Sequence, residues 1–486
     1  MLKQLTDQAG LVTLISLIIA FKVAFLALYG PIHMPDSAGY AQFADLIWAD
    51  RSWIFDVDLD RSDSVFRIIG YPAFLALMKA MSPGAWDWLA VGMQGGFSLV
   101  ATVYVYRLAN ALNVGLLITL CVTFAHGLGQ AFMLDQCILS DSLNASFLII
   151  LACHVGIAII DRRRPSLIET AGLGTLMVAA FLMRESGNYF QVLYWPMIGY
   201  WALRVMDTKL KSVAMMVAFI LPMVLGVEAY QSWNQMRTGE RFITTGASTA
   251  MFFPSVYLEQ RGVSVFAHDP LLKDMKPLPQ IPSTVRALRT TVIPHLMQEH
   301  GFTILDVARH GHAMFRDNWQ NHPLEMLALT ASHIRRDQAQ LSVMPIGTLD
   351  RTVLWATAQS AFPAPGKLWG NLVNEYRVDQ VLMVAGRTIE RLVSMVLTLA
   401  FVVGAPVLFL REGLRERFAI RRYDPTVVLT ALYWLLYCGY TFIYAMIHME
   451  VRYLMPVIPL STIGAISVLT IVGKMVFPKL LNSEKT

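Results

Sequence analysis

Long apolar stretches separated by short polar connectors run along most of this chain. A membrane-spanning helix needs about 20 consecutive, mostly apolar residues, and residues 11–30 meet that requirement with Lys22 as their one charge. By the same criterion the sequence predicts roughly ten spans. They lie near residues 10–30, 87–107, 114–133, 143–160, 167–184, 189–204, 212–231, 389–410, 426–447 and 453–473.

Two long polar segments interrupt this pattern, at residues 31–86 and 232–388. In the first, Tyr40, Phe43 and Ile47 share one helical face, a pattern typical of a helix lying on a membrane surface. In the second, apolar residues recur at helical spacing and predict amphipathic helices that pack on one another or on the bilayer. These residues are Ile304, Val307, Gly311 and Met314, followed by Leu324, Leu327, Ala331 and Ile334.

The pattern divides the chain into three parts. Residues 1–231 form an N-terminal transmembrane module that contains the first external loop, 31–86. Residues 232–388 form a large external helical region, and residues 389–486 form a C-terminal transmembrane module.

Composition excludes a soluble protein. Of the 486 residues, 55% are hydrophobic and 15% are charged, whereas soluble domains carry about 25% charged residues. The predicted fold class is therefore an all-α polytopic membrane protein. The formal net charge of +5 does not indicate a nucleic-acid partner, because the basic residues lie in the connectors between spans. The cysteines show neither metal nor disulfide spacing.

The connectors alternate in charge. Basic residues occur at Lys3, Arg107, 162–164, 204–211, 411–422 and Lys474, whereas the intervening connectors 134–142 and 185–188 contain no Lys or Arg. Positively charged connectors remain on the cytoplasmic side of a membrane. The pattern predicts that both termini are cytoplasmic and that both long polar segments are external.

Polar and charged residues suited to catalysis or ligand binding gather at the predicted outer ends of the spans. Charged residues at membrane depth cost about 2.5–3.5 kcal/mol each, so they pair or line a cavity. A single pair such as Arg184–Glu185 or Glu450–Arg452 is explained more simply as an interfacial ion pair, but the whole set on one face favours a site. The set comprises Asp36, Arg67, Asp135, Asp141, Ser142, Arg184, Glu185, His448, Glu450, Arg452 and Tyr453.

Asp36 has two interpretations. Asp is a favoured N-cap, and a helix is predicted to follow it. A carboxylate at the membrane–water boundary is also placed to act as a base toward a substrate on the water side. The two roles are compatible.

Motifs of nucleotide chemistry are missing from the sequence. It contains no Walker loop, no dinucleotide-binding fingerprint and no nucleophile elbow, so nothing indicates a soluble nucleotide-activated substrate.

Taken in order, several motifs resemble the GT-C superfamily of polytopic glycosyltransferases, in particular bacterial protein O-mannosyltransferases and lipid A aminoarabinose transferases. They are Asp36 followed by Tyr40, Gly70-Tyr71-Pro72 before an apolar stretch, Arg184-Glu185 at the end of a middle span, and Arg452-Tyr453 before a proline-containing span. The likeness covers approximately residues 1–200 and 430–475. Ser37 stands where the family's Asp-Glu form has its second acid, so a divalent metal has no support from an adjacent carboxylate and no metal ligand is predicted.

The resemblance implies an enzyme of the bacterial inner membrane that works on the external face. Its donor would be a sugar linked to polyprenyl phosphate among the membrane lipids, and its acceptor a hydroxyl of a glycan, lipid or protein. It makes Asp36 the general base and Arg452, Arg184 and Arg67 the phosphate ligands. The other predicted substrate-binding residues are Tyr40, Tyr71, Asp141, Glu185, His448, Glu450 and Tyr453.

Two other classes of protein stay open. A lipid or sugar-lipid transporter would use the same polar set as a pathway, and it should place ionisable residues near the bilayer midplane. Lys22 and His154 are the main charges predicted there. A non-catalytic assembly subunit would use 232–388 as a docking surface.

Overall fold

The computed structural model of this chain is built from helices. It describes residues 2–49, 54–55, 57, 63–275, 278, 284–335, 345–359 and 378–476. Within these ranges the β pairing is confined to an isolated parallel bridge between Ile32 and Cys137. The α-helices, numbered in chain order, are α1 Leu2–Tyr29, α2 Pro35–Ala49, α3 Asp63–Phe66, α4 Gly70–Met81, α5 Trp86–Ala111, α6 Leu116–Gly127, α7 Gln130–Asp135, α8 Asp141–Ile160, α9 Leu167–Met183, α10 Gly187–Val205, α11 Lys209–Thr238, α12 Thr245–Ala250, α13 Phe253–Gln260, α14 Thr284–Ala287, α15 Ile293–His300, α16 Ile304–Asn321, α17 Pro323–Arg335, α18 Pro345–Thr357, α19 Val378–Arg415, α20 Pro425–Ile447 and α21 Ile458–Val476.

Eight helical segments in the described part of the chain are long and apolar enough to cross a membrane. They are most of α1, α5, the α6–α7 pair, α8, α11, most of α19, α20 and α21. Each overlaps a predicted span, which confirms the prediction of an α-helical multi-pass membrane protein. The other two predicted spans correspond to α9, a shorter apolar helix of 17 residues, and to α10, which is not among the eight. The number ten stays a prediction.

The third predicted span is broken in the structure. The sequence pattern predicts one helix over 114–133, but α6 ends at Gly127 and α7 begins at Gln130. Leu128 and Gly129 lie between them outside helical geometry. The break redirects the chain so that α7 delivers Asp135 to the interior of the bundle, where its side chain is 1% exposed.

A buried ion pair connects this break to the first span. Lys22 Nζ lies 2.6 Å from Asp135 Oδ2 and 3.3 Å from the hydroxyl of Ser98. The other carboxylate oxygen of Asp135 accepts a hydrogen bond from the Ser142 hydroxyl at 2.5 Å. A buried charge needs a partner to offset its lost hydration, and each charge here has one.

α8 and α9 run antiparallel, so the basic residues between them and the mixed-charge residues at their other ends lie at opposite ends of this helix pair. α8 begins at Asp141, α9 ends just before Arg184, and the basic run 162–164 lies between the two helices at the other end. There Arg164 pairs with Asp207 at 2.8 Å. The predicted site residues therefore share one end, away from the basic connectors.

The first polar segment folds against the bundle as α2, α3 and α4. Tyr40 and Phe43 of α2 are buried, and the Tyr40 ring meets the Tyr71 ring of α4 edge-on at 4.9 Å. The prediction that this face lies on a membrane surface is therefore wrong. Packing against protein produces the same periodicity as packing on a membrane. Only the burial of the side chains distinguishes the two.

The second polar segment begins within α11 and includes α12 to α18. Val307 and Met314 of α16 are buried as their spacing predicts. The predicted apolar face of α17 is not packed on protein: Leu324 and Leu327 are exposed, while the buried residues on this helix include Met326 and Leu329. Packing of the exposed face on the bilayer stays a prediction. α17 is apolar on two sides, and it turns the Met326 side to its protein neighbours.

Candidate active site

Asp36 lies in the first turn of α2 and directs its carboxylate away from the helix backbone. The turn is instead closed by Ser37, whose hydroxyl accepts from the Met34 amide and donates to the Ile138 carbonyl, both at 2.8 Å. The Asp36 side chain is 22% exposed and contacts arginine side chains. Its contacts thus differ from those of an N-cap, and its negative charge still favours the helix N-terminus.

Arg67 is held next to Asp36 by the start of α4. Its Nη2 atom donates to Asp36 Oδ1 at 2.8 Å, and its guanidinium lies 4.6 Å from the centre of the Tyr40 ring. Gly70 permits this placement, because a Cβ atom there would lie 2.3 Å from the carbonyl oxygen of Leu182 in α9. The close approach brings Arg67 to the end of α9.

Arg452 connects two carboxylates. It lies in the short 3₁₀ turn Val451–Leu454 between α20 and α21. Its Nη2 atom donates to Asp36 Oδ2 at 3.2 Å, and its Nη1 atom lies 3.8 Å from Asp141 Oδ2. Its Nε atom lies 2.6 Å from Glu450. One guanidinium thereby links α2, α8 and the last connector.

Arg184 completes the row of alternating charges. It follows the last residue of α9 and forms an ion pair with Asp141, the first residue of α8. Its guanidinium also lies 4.6 Å from the centre of the Tyr453 ring. The sequence suggests Glu185 as its partner, but Arg184 pairs with Asp141.

His448 lies between Glu450 and an aromatic side chain, Tyr257. His448 Nε2 lies 3.1 Å from a Glu450 carboxylate oxygen, and His448 Nδ1 lies 2.9 Å from the Tyr257 hydroxyl. Tyr257 belongs to α13, so the external helical region reaches the charged cluster at this point.

Two predicted site residues have other surroundings. The side chain of Tyr71 is fully buried beneath the cluster and donates to Gln94 at 2.6 Å, so it supports Tyr40 rather than facing a ligand. Glu185 lines a separate cavity with Tyr189 and Arg241.

Sequence reasoning missed Arg289. Its Nη2 atom lies 3.9 Å from Asp36 Oδ1, and its side chain is 54% exposed. It comes from the π-helical turn Leu288–Val292 in the external region. The local sequence contains Arg286 as well, so periodicity and charge alone do not indicate which arginine approaches Asp36.

The charges of the cluster strongly favour ionised carboxylates. Burial alone would raise the pKa of Asp36, but the Arg67 and Arg452 guanidiniums lower it to about 2. Burial would also raise the pKa of Glu450, yet the hydrogen bond from His448 and the charge of Arg452 lower it to about 2. The cluster is therefore a set of ion pairs at neutral pH. In the described residues, no group of three or more His, Cys, Asp and Glu side chains is placed to hold a metal ion.

The fold and the cluster together define a multi-pass helical membrane protein with a mixed-charge site at one end of its bundle. No family model, curated protein or solved structure matches the chain.

The two arginines beside Asp36 should differ in their effect on stability. Arg67→Gln removes a short, partly buried charged hydrogen bond, and such bonds contribute about 1.5–3 kcal/mol. Arg289→Gln removes an exposed pair, for which about 0–1 kcal/mol is typical. We expect a clear drop in the thermal unfolding temperature of the detergent-solubilised protein for Arg67→Gln and little change for Arg289→Gln. Equal drops for the two variants would contradict the described geometry.

Proposed function

We propose that this protein is an inverting glycosyltransferase of GT-C type. It moves a sugar from a polyprenyl-phosphate donor to an acceptor hydroxyl on the external face of the bacterial inner membrane, with both termini in the cytoplasm. The observation that carries the proposal is the partly exposed Asp36 carboxylate held between two guanidiniums, Arg67 and Arg452. This arrangement places a proton acceptor in direct contact with two side chains that can bind phosphate.

The chemistry needs few groups. The acceptor oxygen attacks the anomeric carbon, the bond from that carbon to the phosphate oxygen breaks, and the electron pair leaves with the polyprenyl phosphate. Asp36 takes the acceptor proton, for which a base must come within about 2.6–3.2 Å. The leaving phosphate is a weak base and needs positive charge rather than a proton donor. Arginine suits it, because its planar fork binds two phosphate oxygens at once.

The ion pairs of Asp36 raise a physical question for this role. A carboxylate with a pKa of about 2 is a weak base, and general bases work best when their pKa is near the operating pH. The donor phosphate resolves this because it competes with Asp36 for Arg67 and Arg452. Loss of these partners raises the pKa of the partly buried carboxylate, so donor binding strengthens the base when an acceptor is to be deprotonated.

Asp36→Asn tests the proposed base. The amide retains the size of the side chain but accepts no proton, and loss of a general base reduces rates by about 10²–10⁴-fold. We expect sugar transfer from a synthetic polyprenyl-phosphate donor to fall by that factor with donor binding retained. Asp45→Asn, on the same helix, is the matched control: Asp45 pairs with Lys79 and its side chain is 65% exposed, so transfer should be unchanged. Near-normal turnover by Asp36→Asn would refute the base assignment.

The pH dependence tests the competition for the arginines. The pH profile of kcat/KM reports on the free enzyme and that of kcat on the substrate complex. The charged groups that face Asp36 are Arg67, Arg452 and Arg289, and arginines do not titrate in this range. Asp36 is therefore ionised across about pH 5–8 in the free protein and should give no acid limb in kcat/KM there. We expect the acid limb of kcat to lie at higher pH than that of kcat/KM. An acid limb of kcat at the same pH or lower would contradict the competition.

A lipid or sugar-lipid transporter is the second candidate, and the Lys22–Asp135 ion pair favours it. Both side chains are buried, and ionisable residues within spans often mark transport pathways. The break between α6 and α7 resembles the discontinuous helices that form transporter sites.

Lys22→Met separates the two candidates. It leaves Asp135 as an unpaired buried charge, which destabilises a protein by about 3–5 kcal/mol. For a transferase we expect a lower thermal unfolding temperature, with transfer per folded molecule within a fewfold of the unchanged protein. For a transporter we expect loss of lipid movement in proteoliposomes. Lipid movement without any sugar transfer by the unchanged protein would replace the transferase proposal.

A further inference from the structure

A cavity opens next to the charged cluster. Its volume is about 300 Å³, at the lower end of the range of about 300–1,000 Å³ that is usual for small-molecule sites. α10, α11, α12 and α16 contribute to its wall, together with residues 241–244. The lining residues that carry the argument are Glu185, Tyr189, Gln231, Arg241, Thr244 and His312.

The cavity adjoins the proposed catalytic residues through two contacts. Glu185 directly follows Arg184, and its negative charge helps to raise the pKa of Arg67 against the effect of burial. α12, which forms part of the wall, packs on the residue before Arg67: a Cβ atom at Gly246 would lie 2.5 Å from the carbonyl oxygen of Phe66. A molecule in the cavity therefore lies beside the residues that hold Asp36.

The charges of the cavity favour a neutral ligand. Arg241 pairs with Glu228 and donates to Gln231 at 3.2 Å, so its charge is already neutralised. Arg309 pairs with Glu240 at 2.7 Å and lies 3.8 Å from Asp306.

The remaining titratable groups of the wall do not add positive charge. Burial lowers the pKa of His312, so its imidazole is neutral at pH 7. Glu185 forms no ion pair within the described residues, and it leaves the cavity slightly negative. An anionic ligand is disfavoured by this balance.

The hydrogen-bonding groups suit a hydroxyl-rich molecule. Glu185 offers a carboxylate to this wall, and Gln231 offers an amide whose oxygen accepts from Arg241. The Ser248 hydroxyl and His312 Nε2 lie 3.1 Å apart in the same wall, within hydrogen-bonding distance of each other. The Thr244 hydroxyl is buried and has no hydrogen-bond partner among the described residues. Tyr189 adds an aromatic ring that is 42% exposed.

We propose that this cavity binds the acceptor, and that the acceptor presents a neutral saccharide there. The inference rests on the proposed transferase function, because it gives the acceptor a place next to Arg184 and to the segment that carries Arg67. It narrows the acceptor class to a glycan, or to the sugar portion of a glycolipid or glycoprotein. Glu185 and Gln231 would hold its hydroxyls.

The test measures saccharide binding without any donor. The full-length protein in lipid nanodiscs is examined by saturation-transfer NMR with a panel of neutral hexose disaccharides and trisaccharides, and with a disaccharide that contains a uronic acid as the anionic comparison. We expect millimolar or tighter binding of at least one neutral saccharide and weaker binding of the acidic disaccharide.

Two variants locate the binding. Ala247→Trp fills the cavity and should abolish the saccharide signal, whereas Ala331→Trp, the same substitution on the exposed side of α17, should retain it. Glu185→Gln keeps the volume of the side chain and should weaken binding by at least about fivefold, since it replaces a charged hydrogen bond by a neutral one of about half the strength. It keeps the test valid if Ala247→Trp fails to fold.

The outcomes are distinct. The inference is overturned if no neutral saccharide binds, if the acidic disaccharide binds more tightly than every neutral saccharide, or if both cavity variants bind like the unchanged protein. Because no donor is present, such a result leaves the transferase proposal standing. Absence of sugar transfer with saccharide binding intact would refute the transferase and retain the saccharide site.

Discussion

The charged end of the bundle depends on the ion pairs that the guanidinium of Arg452 makes. It lies between Asp36 and Asp141 and also contacts Glu450. These acids come from the first polar segment, the start of α8 and the last connector. A partly buried carboxylate is stable as an anion when cations offset its lost hydration, so the three acids can share one end of the bundle because arginines alternate with them.

The alternation of arginines and carboxylates also determines how a charged ligand can bind at this end of the bundle. Arg67, Arg184 and Arg452 are already engaged by carboxylates, so an incoming anion competes with Asp36 or Asp141 rather than meeting free charge. The adjacent cavity has the opposite character: its arginines are paired away, and one carboxylate remains unpaired in the described structure. One fold thus places a region suited to an anion beside a region suited to a neutral polar molecule.

Sequence patterns predicted the spans well because a bilayer imposes a length and a composition that residues satisfy locally. They also grouped Asp36, Arg67, Asp141, Arg184 and Arg452 at one end, since connector charge fixes the direction of each helix. They could not choose between partners, so Arg184 was matched with Glu185 rather than Asp141. They could not find Arg289, whose approach depends on how the external helices pack. Periodicity likewise identified apolar faces on α2 and α17 without showing what covers them.

The ion pairs of Asp36 also have an order in time. Arg67 follows Asp36 by 31 residues, whereas Arg452 follows it by 416. During synthesis the ribosome delivers Arg67 almost immediately, before the second apolar helix of the bundle is complete. Arg452 arrives only after nearly every span has been made. Arg67 is thus available to pair with Asp36 early in membrane insertion, whereas Arg452 becomes available only after α20 and just before α21.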